Sequence, residues 1–171
     1  MGNKDIVVLV DENDRVVGYG KKFATHKNPV PLHRAISVII FDPERKKMLL
    51  QQRAASKSTW PLFWSNACCT HPLPGEDDAV CAARRLKEEM GFETPLRQLF
   101  KFVYEVKYDE IWGEHELDTV FEGVYDGEVN ADAGEAAGYK WMDVSELKKD
   151  IEANGSKYTP WLKIILGRMS L

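Results

Sequence analysis

The chain has 171 residues, 44% of them hydrophobic and 11% aromatic, enough for a single domain over residues 1–171 with a real core. Charged residues make up 29% and the net charge is -4, so no global positive field recommends nucleic acid, although local basic residues can still meet a small anion. Three cysteines do not complete a disulfide framework and point to a reducing, cytoplasmic setting. Ile6 to Val10 is too short, and too soon followed by acids, for a signal peptide. The myristoylation pattern fails at Ile6, and no stretch is long enough to span a bilayer.

Ile6 to Val10 and Arg15 to Tyr19 flank Asp11-Glu12-Asn13-Asp14, which predicts a hairpin. Lys21 to His26 suits one helical turn, and Asn28-Pro29-Val30-Pro31 then breaks regular structure. Ala35 to Phe41, apolar and β-branched, predicts a buried strand; a Pro43-Glu44-Arg45-Lys46 turn separates it from Met48 to Arg53. After Ser56, a loop with Trp60, Pro61 and Phe63 leads into Trp64 to His71, an extended segment that ends at Pro72-Leu73-Pro74-Gly75. Asp77 to Met90 has helical periodicity, with Ala79, Ala83, Leu86 and Met90 as its apolar stripe and Gly91 as its stop. Leu99 to Val106, Leu117 to Tyr125 and Tyr139 to Val144 predict strands, the first two joined by a loop carrying Trp112-Gly113. Ser145 to Glu152 and Pro160 to Met169 predict helices, each with a hydroxyl residue at or beside its N-cap. Strands and helices mix without repeat or linker, so the class is α/β.

Strand alternation puts Cys69 and His71 on one face and Cys68 and Thr70 on the other. A thiol beside an imidazole suits a buried reaction centre, though a strand-end cysteine is also a common core residue. His26 and His33 bracket the proline-containing loop, while Glu114 and Glu116 share a face from which His115 points away. Together with His71 they could form a nitrogen and oxygen site for zinc, manganese or magnesium. Spacing alone favours scattered surface and loop residues. Arg53-Ala54-Ala55-Ser56-Lys57 and the following Ser58-Thr59-Trp60-Pro61 alternate anion-binding types with small residues, and Lys22 adds charge nearby. Trp161 follows Thr159-Pro160 and could anchor a helix or offer its π face to a cation.

Arg84-Arg85-Leu86-Lys87-Glu88-Glu89-Met90-Gly91 resembles the Nudix box, whose core is Arg-Glu-apolar-X-Glu-Glu-X-Gly. Arg85 stands where a hydrolase carries an acid facing Glu89, one turn on. The change removes a metal ligand and adds a guanidinium, which grips a diphosphate without activating water. An Arg85–Glu89 ion pair on a structural helix fits the same spacing. Glu76 matches an earlier acidic position of the box, whereas Thr70 replaces its opening glycine. Alongside stand His26, Leu32-His33, Arg53 to Lys57, Trp60-Pro61, Ser65 to Pro72, Trp112 to Glu116 and Pro160-Trp161. With these pieces in order, the chain resembles the type 1 isopentenyl-diphosphate isomerases over nearly everything from His26 to Trp161.

The resemblance implies a Nudix-like α/β/α sandwich with a mixed β-sheet. It implies isopentenyl-diphosphate Delta-isomerase activity, a metal-dependent 1,3-proton shift giving dimethylallyl diphosphate in isoprenoid biosynthesis. Carried over by position, His26, His33, His71, Glu114 and Glu116 would hold one divalent metal (Mn2+, Zn2+ or Mg2+). Glu89 would hold Mg2+ with the substrate diphosphate, which Lys22, Arg53, Lys57 and Arg85 would surround. An unactivated alkene needs a strong, water-shielded acid, and the tertiary carbocation it leaves needs an electron-rich wall. The resemblance places Cys69 on one side of the substrate, Glu116 near Tyr104 on the other, and Trp161 facing the cation. Glu116 with Tyr104 is expected to protonate and Cys69 to act as the opposing acid or base, with the reverse assignment open.

The expected partner is a small-molecule diphosphate, without nucleic acid or membrane, and the expected state a monomer or weak dimer. Cys68 and Cys81 are expected to be structural, and the part after Trp161 that closes the site to be short. The rivals are a Nudix diphosphohydrolase, disfavoured by Arg85 and the Cys69/His71 pair, and a catalytically silent metal- or diphosphate-binding module.

Overall fold

The computed structural model describes residues 5–169. Its strands in chain order are β1 (Ile6–Val10), β2 (Val16–Lys21), β3 (His33–Phe41), β4 (Lys47–Arg53), β5 (Trp64–Asn66), β6 (Cys68–Thr70), β7 (Arg97–Lys107), β8 (Gly113–Val124) and β9 (Ala136–Asp143). Its α-helices are α1 (Lys22–Thr25), α2 (Asp78–Met90), α3 (Val144–Asn154) and α4 (Pro160–Arg168), with a 3-10 turn at Gly155–Lys157.

β3, rich in β-branched residues that suit a pleated surface, is the axis of the sheet. It runs parallel to β8 from His33 opposite Glu116 to Phe41 opposite Val124, and β8 is antiparallel to β7. Along its other edge β3 is met by β1 at its start, β6 in its middle and β4 at its end, all antiparallel. β4 in turn carries β5 and β9. The sheet is therefore mixed, as expected.

Alternation along β3 divides the core. Ile36, Val38 and Ile40 pack with Cys81, Ala82, Leu86 and Met90 of α2 on one side. Ile39 and Phe41 pack with Leu147 of α3 and with Trp161, Leu162 and Ile165 of α4 on the other. Each such isoleucine contributes about 2 kcal/mol by leaving water. The result is helix, sheet, helix. Cys68 and Cys81 are both fully buried on the α2 side, the structural places expected of them. Asp77 caps α2 by accepting from the backbone of Ala79 at 2.8 Å, and Gly91 ends it at φ 79. Gly91 admits no side chain, because a Cβ there would lie 2.5 Å from the Asn130 carbonyl oxygen.

The same alternation selects the wall that faces the α4 side. It carries His33 and Ser37 of β3 in phase with Ile39, and Glu114, Glu116 and Asp118 of β8 in phase with Val120. Tyr104 of β7 lies opposite Glu116, and Cys69 of β6 lies opposite Ser37.

Three local expectations are corrected. Ala79 and Ala83 are exposed; the buried face of α2 is Cys81, Ala82, Leu86, Glu89 and Met90. Small Cys81 and Ala82 let the helix settle onto the sheet, and that turns Glu89 inward, so polarity misjudged the stripe. Trp64 to His71 is also not one strand. It divides at Ala67 into β5, paired with β4, and β6, paired with β3. Asn66 holds this break by donating to the carbonyls of Val38 at 3.2 Å and Cys68 at 2.9 Å. At the C-terminal end, α3 is capped by the Asp143 carboxylate rather than by a hydroxyl, and the Thr159 hydroxyl pairs with Ser65 Oγ at 2.9 Å.

Candidate active site and metal centre

His26, His33, His71, Glu114 and Glu116 converge: one ligand atom from each lies within 4.8 Å of all the others. His33 and the two glutamates come from neighbouring parallel strands, His26 caps α1, and His71 follows β6. The loop between His26 and His33 is tied to the start of β8, because Asn28 Nδ2 donates to the carbonyls of Asp109 at 3.0 Å and Trp112 at 3.2 Å. Gly113 permits this approach; a Cβ there would meet Val106 O at 2.7 Å and Asn28 Oδ1 at 2.8 Å. His115, two residues along, bonds Val30 O and stays outside the group, as alternation required.

The donor chemistry fits a divalent cation. His26 Nδ1 lies 2.6 Å from Lys22 O and His33 Nδ1 2.9 Å from Pro31 O, which fixes the ring tautomers and turns each Nε2 lone pair toward the carboxylates. His33 Nε2 and Glu114 Oε2 are buried and make no hydrogen bond among the described residues. Burial pushes His71 well below its ordinary value, so its imidazole is neutral. Burial would lower His26 too, but the Glu114 carboxylate overcomes this and raises it. Burial would likewise raise Glu116; the His33 ring 3.7 Å away and the His71 ring 3.0 Å away hold it well down instead. Imidazoles and carboxylates together form a nitrogen and oxygen donor set for a divalent cation.

Beside this group opens a cavity of about 300 Å3. His26, His71, Glu114 and Glu116 form one wall; Cys69, Tyr104 and Trp161 form another. Tyr104 OH donates to Glu116 Oε2 at 2.5 Å, and burial followed by the charge of Glu116 pushes the phenol well above 10. The Cys69 thiol donates to Asn66 Oδ1 at 3.1 Å, and Trp161 Nε1 donates to its sulfur at 3.0 Å. Burial and then the Asp118 charge push the thiol up to about 12, opposed by hydrogen bonds from Ser37 and Ser65. Trp161 is 3% exposed, and the Arg53 guanidinium lies 5.2 Å from its ring centroid.

The basic residues gather on the remaining side. Lys22, Arg53 and Lys57 line the main cavity. Arg85 does not; it lines an adjoining cavity of about 180 Å3, which shares Lys22, Thr70 and His71 with the first. Arg85 Nη2 lies 2.8 Å from Glu89 Oε1 and 2.8 Å from Glu135 Oε1. Glu89 is 3% exposed, accepts from Gln51 on its other oxygen at 3.0 Å, and stands apart from the five-residue group. Burial, then the Lys57 and Arg85 charges, lowers Lys22.

Ser65 and Asn66 belong to the Ser65 to Pro72 piece without an assigned role, and Ser37 carried no sequence signal. Ser37, Ser65 and Asn66 surround Cys69 through pairings that only the sheet creates. Asp118 did carry one, since it continues the alternation of Glu114 and Glu116. It accepts from Ser37 at 2.8 Å, and burial raises it well above its ordinary value.

The layered fold, with Arg84 to Gly91 closing the helix under this site, defines the class. The NUDIX domain pattern matches residues 31–162. A Deinococcus radiodurans crystal structure shares the fold with TM-score 0.80 and 19% identity, covering 97% of this chain and 99% of that one. The MutT protein of Methanosarcina mazei shares it with TM-score 0.66 and 18% identity, over 81% and 92%. Sequence narrows the class. The isopentenyl-diphosphate Delta-isomerase 2 of Aromatoleum aromaticum is 43% identical, covering 97% of this chain and 87% of that protein. The isopentenyl-diphosphate Delta-isomerase of Nocardia farcinica is 42% identical, over 94% and 91%. The chain belongs to the isopentenyl-diphosphate Delta-isomerase family and is an enzyme.

Proposed function

We propose that the protein interconverts isopentenyl diphosphate and dimethylallyl diphosphate by a 1,3-proton shift in isoprenoid biosynthesis. The observation that carries this reading is the placement of the Cys69 thiol and the Glu116–Tyr104 pair on one cavity with Trp161. The basic residues Lys22, Arg53 and Lys57 flank the same space, and Arg85 adjoins it.

His26, His33, His71, Glu114 and Glu116 would hold a divalent cation, Mn2+, Zn2+ or Mg2+, and the carboxylate of Glu89 would meet Mg2+ carried by the diphosphate. The cation at the His/Glu site supplies fixed positive charge that acidifies its surroundings. Tyr104 and Glu116 hold the proton that goes to the terminal alkene carbon. A thiol raised to about 12 is a poor acid for that task, while its thiolate is a strong base; acid strength favours the carboxyl side. Cys69, as the thiolate left when its proton rests on the Glu116–Tyr104 side, then takes a proton from C2 across the substrate plane, and the roles reverse in the opposite direction. This assignment requires the proton to rest on the Glu116–Tyr104 side first. Trp161 faces the tertiary carbocation and, with Trp60 5.3 Å away ring to ring, keeps water from it. We place this enzyme in the cytoplasm as a monomer or weak dimer.

The test is incubation with isopentenyl diphosphate, Mg2+ and Mn2+ in D2O, followed by proton and phosphorus NMR. Dimethylallyl signals with deuterium incorporation and intact diphosphate are expected. Free phosphate with an unmoved double bond would establish a diphosphohydrolase instead. The Arg85 guanidinium, bound to Glu89 in the position of a hydrolase carboxylate, argues against that outcome.

A further inference from the structure

Glu135 is absent from every motif discussed above, yet it stands between two of the basic residues. Its carboxylate accepts from Lys57 Nζ on one oxygen and from Arg85 Nη2 at 2.8 Å on the other. Its backbone is pinned to the elements that carry those cations. Ala54, near Lys57, donates to Glu135 O at 3.0 Å, and the turn leading to Glu135 is tied to the end of α2 by Asp132 N to Glu89 O at 2.8 Å. A long basic side chain held at both its root and its tip loses little freedom when a ligand arrives.

We propose that Glu135 is a specificity-determining residue that holds Lys57 and Arg85 as a preformed pair and makes the cavity favour a diphosphate carrying Mg2+ over the bare anion. The proposal rests on the diphosphate reading above and deepens it.

The reason is charge. Lys22, Arg53, Lys57, Arg84 and Arg85 gather with Glu76, Glu88, Glu89 and Glu135 about the two cavities, which leaves one positive charge in surplus. Arg84 pairs with Glu76 at 2.7 Å and with Glu88 at 3.2 Å, and Arg85 also meets Glu88 at 2.7 Å. A diphosphate ester carries about three negative charges near neutral pH, and its magnesium complex about one. The complex matches the surplus, whereas the bare anion overfills it and meets the Glu135 carboxylate directly. Burial works against ionising Glu135, but the hydrogen bonds from Lys57 and Arg85 bring it down to about 2, so the negative charge is permanent at working pH. Without it, the cations would gain a second surplus charge, and the penalty on the bare anion would fall.

The test compares the wild type with Glu135→Gln and Glu135→Asp, each loaded with Mn2+ at the His/Glu site. Inorganic pyrophosphate is titrated calorimetrically with and without added Mg2+. In the wild type Mg2+ is expected to tighten pyrophosphate binding. In Glu135→Gln that tightening is expected to shrink about tenfold, mainly through stronger binding without Mg2+. Glu135→Asp, which keeps the charge, should restore it. A Glu135→Gln protein with wild-type Mg2+ dependence, or one weakened equally in both conditions, would overturn the proposal and leave Glu135 a structural tie. A wild type that binds no pyrophosphate in either condition would instead overturn the diphosphate reading itself.

Discussion

Tyr104→Phe isolates the proposed proton-handling wall of the cavity from the His/Glu group beside it. The ring stays in place: it stacks on Phe102 with centroids 5.5 Å apart and lies 6.5 Å from Trp161, contacts a phenyl group keeps. What is lost is one charge-assisted hydrogen bond, 2.5 Å long, to a buried carboxylate oxygen. Such a bond is worth about 1.5–3 kcal/mol, or about 10- to 100-fold in rate if all of it acts in the transition state. Loss of a positioned proton donor contributes about 10²- to 10⁴-fold. The two overlap, so kcat is expected to fall about 100-fold. KM should stay within about threefold, because the phenol touches no basic residue of the diphosphate side. Because the phenol lies well above 10 and stays neutral, the pH–rate profile should drop in height and keep its shape. Turnover is followed by NMR in D2O and bound metal by elemental analysis. Activity within about threefold of wild type, or metal lost in step with activity, would refute this reasoning.

Cys69→Ala should abolish turnover while leaving bound metal unchanged, since the sulfur contacts Asn66 and Trp161 but no residue of the His/Glu group; retained turnover ends its assigned role. Trp161→Phe keeps most of the α4 packing but removes the Nε1 bonds to Cys69 and Ser65, so kcat should drop about tenfold with an unchanged circular dichroism spectrum. Mn2+ or Zn2+ at about a hundred times its dissociation constant should stabilise the protein by about 2.7 kcal/mol, a rise of roughly 5–10 °C in Tm. His33→Ala should erase that rise, and a wild type indifferent to every divalent cation would refute the metal centre. Glu135 lies at about 2 when folded against an ordinary 4.5. Its contribution is therefore fully present above 4.5 and lost as pH falls toward 2, because the unfolded state binds the proton first. Acid titration of Glu135→Gln should show a flatter loss of stability across that window than the wild type.

The residues whose positions obey a local period were legible. Alternation alone put Glu114 with Glu116 and turned His115 away, and it put Cys69 on the wall shared with His71. Asp118 obeys the same period but lies outside the motif. The caps of α2 were legible from Asp77 and Gly91. Its buried face was not, since a rule that equates polarity with exposure cannot see Glu89 turned inward beneath Arg85 and Gln51. The break at Ala67 was also hidden, as it depends on which strands β5 and β6 pair with. Glu135 was invisible for the same kind of reason: its partners Lys57 and Arg85 are 78 and 50 residues away, and no local pattern encodes that meeting.

α1 is a single helical turn, yet it delivers Lys22 to both cavities while His26, its C-cap, joins the metal group and bonds back to the Lys22 carbonyl. On the proposed reading, one peptide group would serve both cation binding and diphosphate binding. Substitutions that shift this turn will show epistasis, with effects on cation affinity and on anion affinity that fail to add. Directed evolution toward a different metal will therefore drag diphosphate affinity along with it, unless compensating changes arise at the Asn28 tie that anchors the same loop.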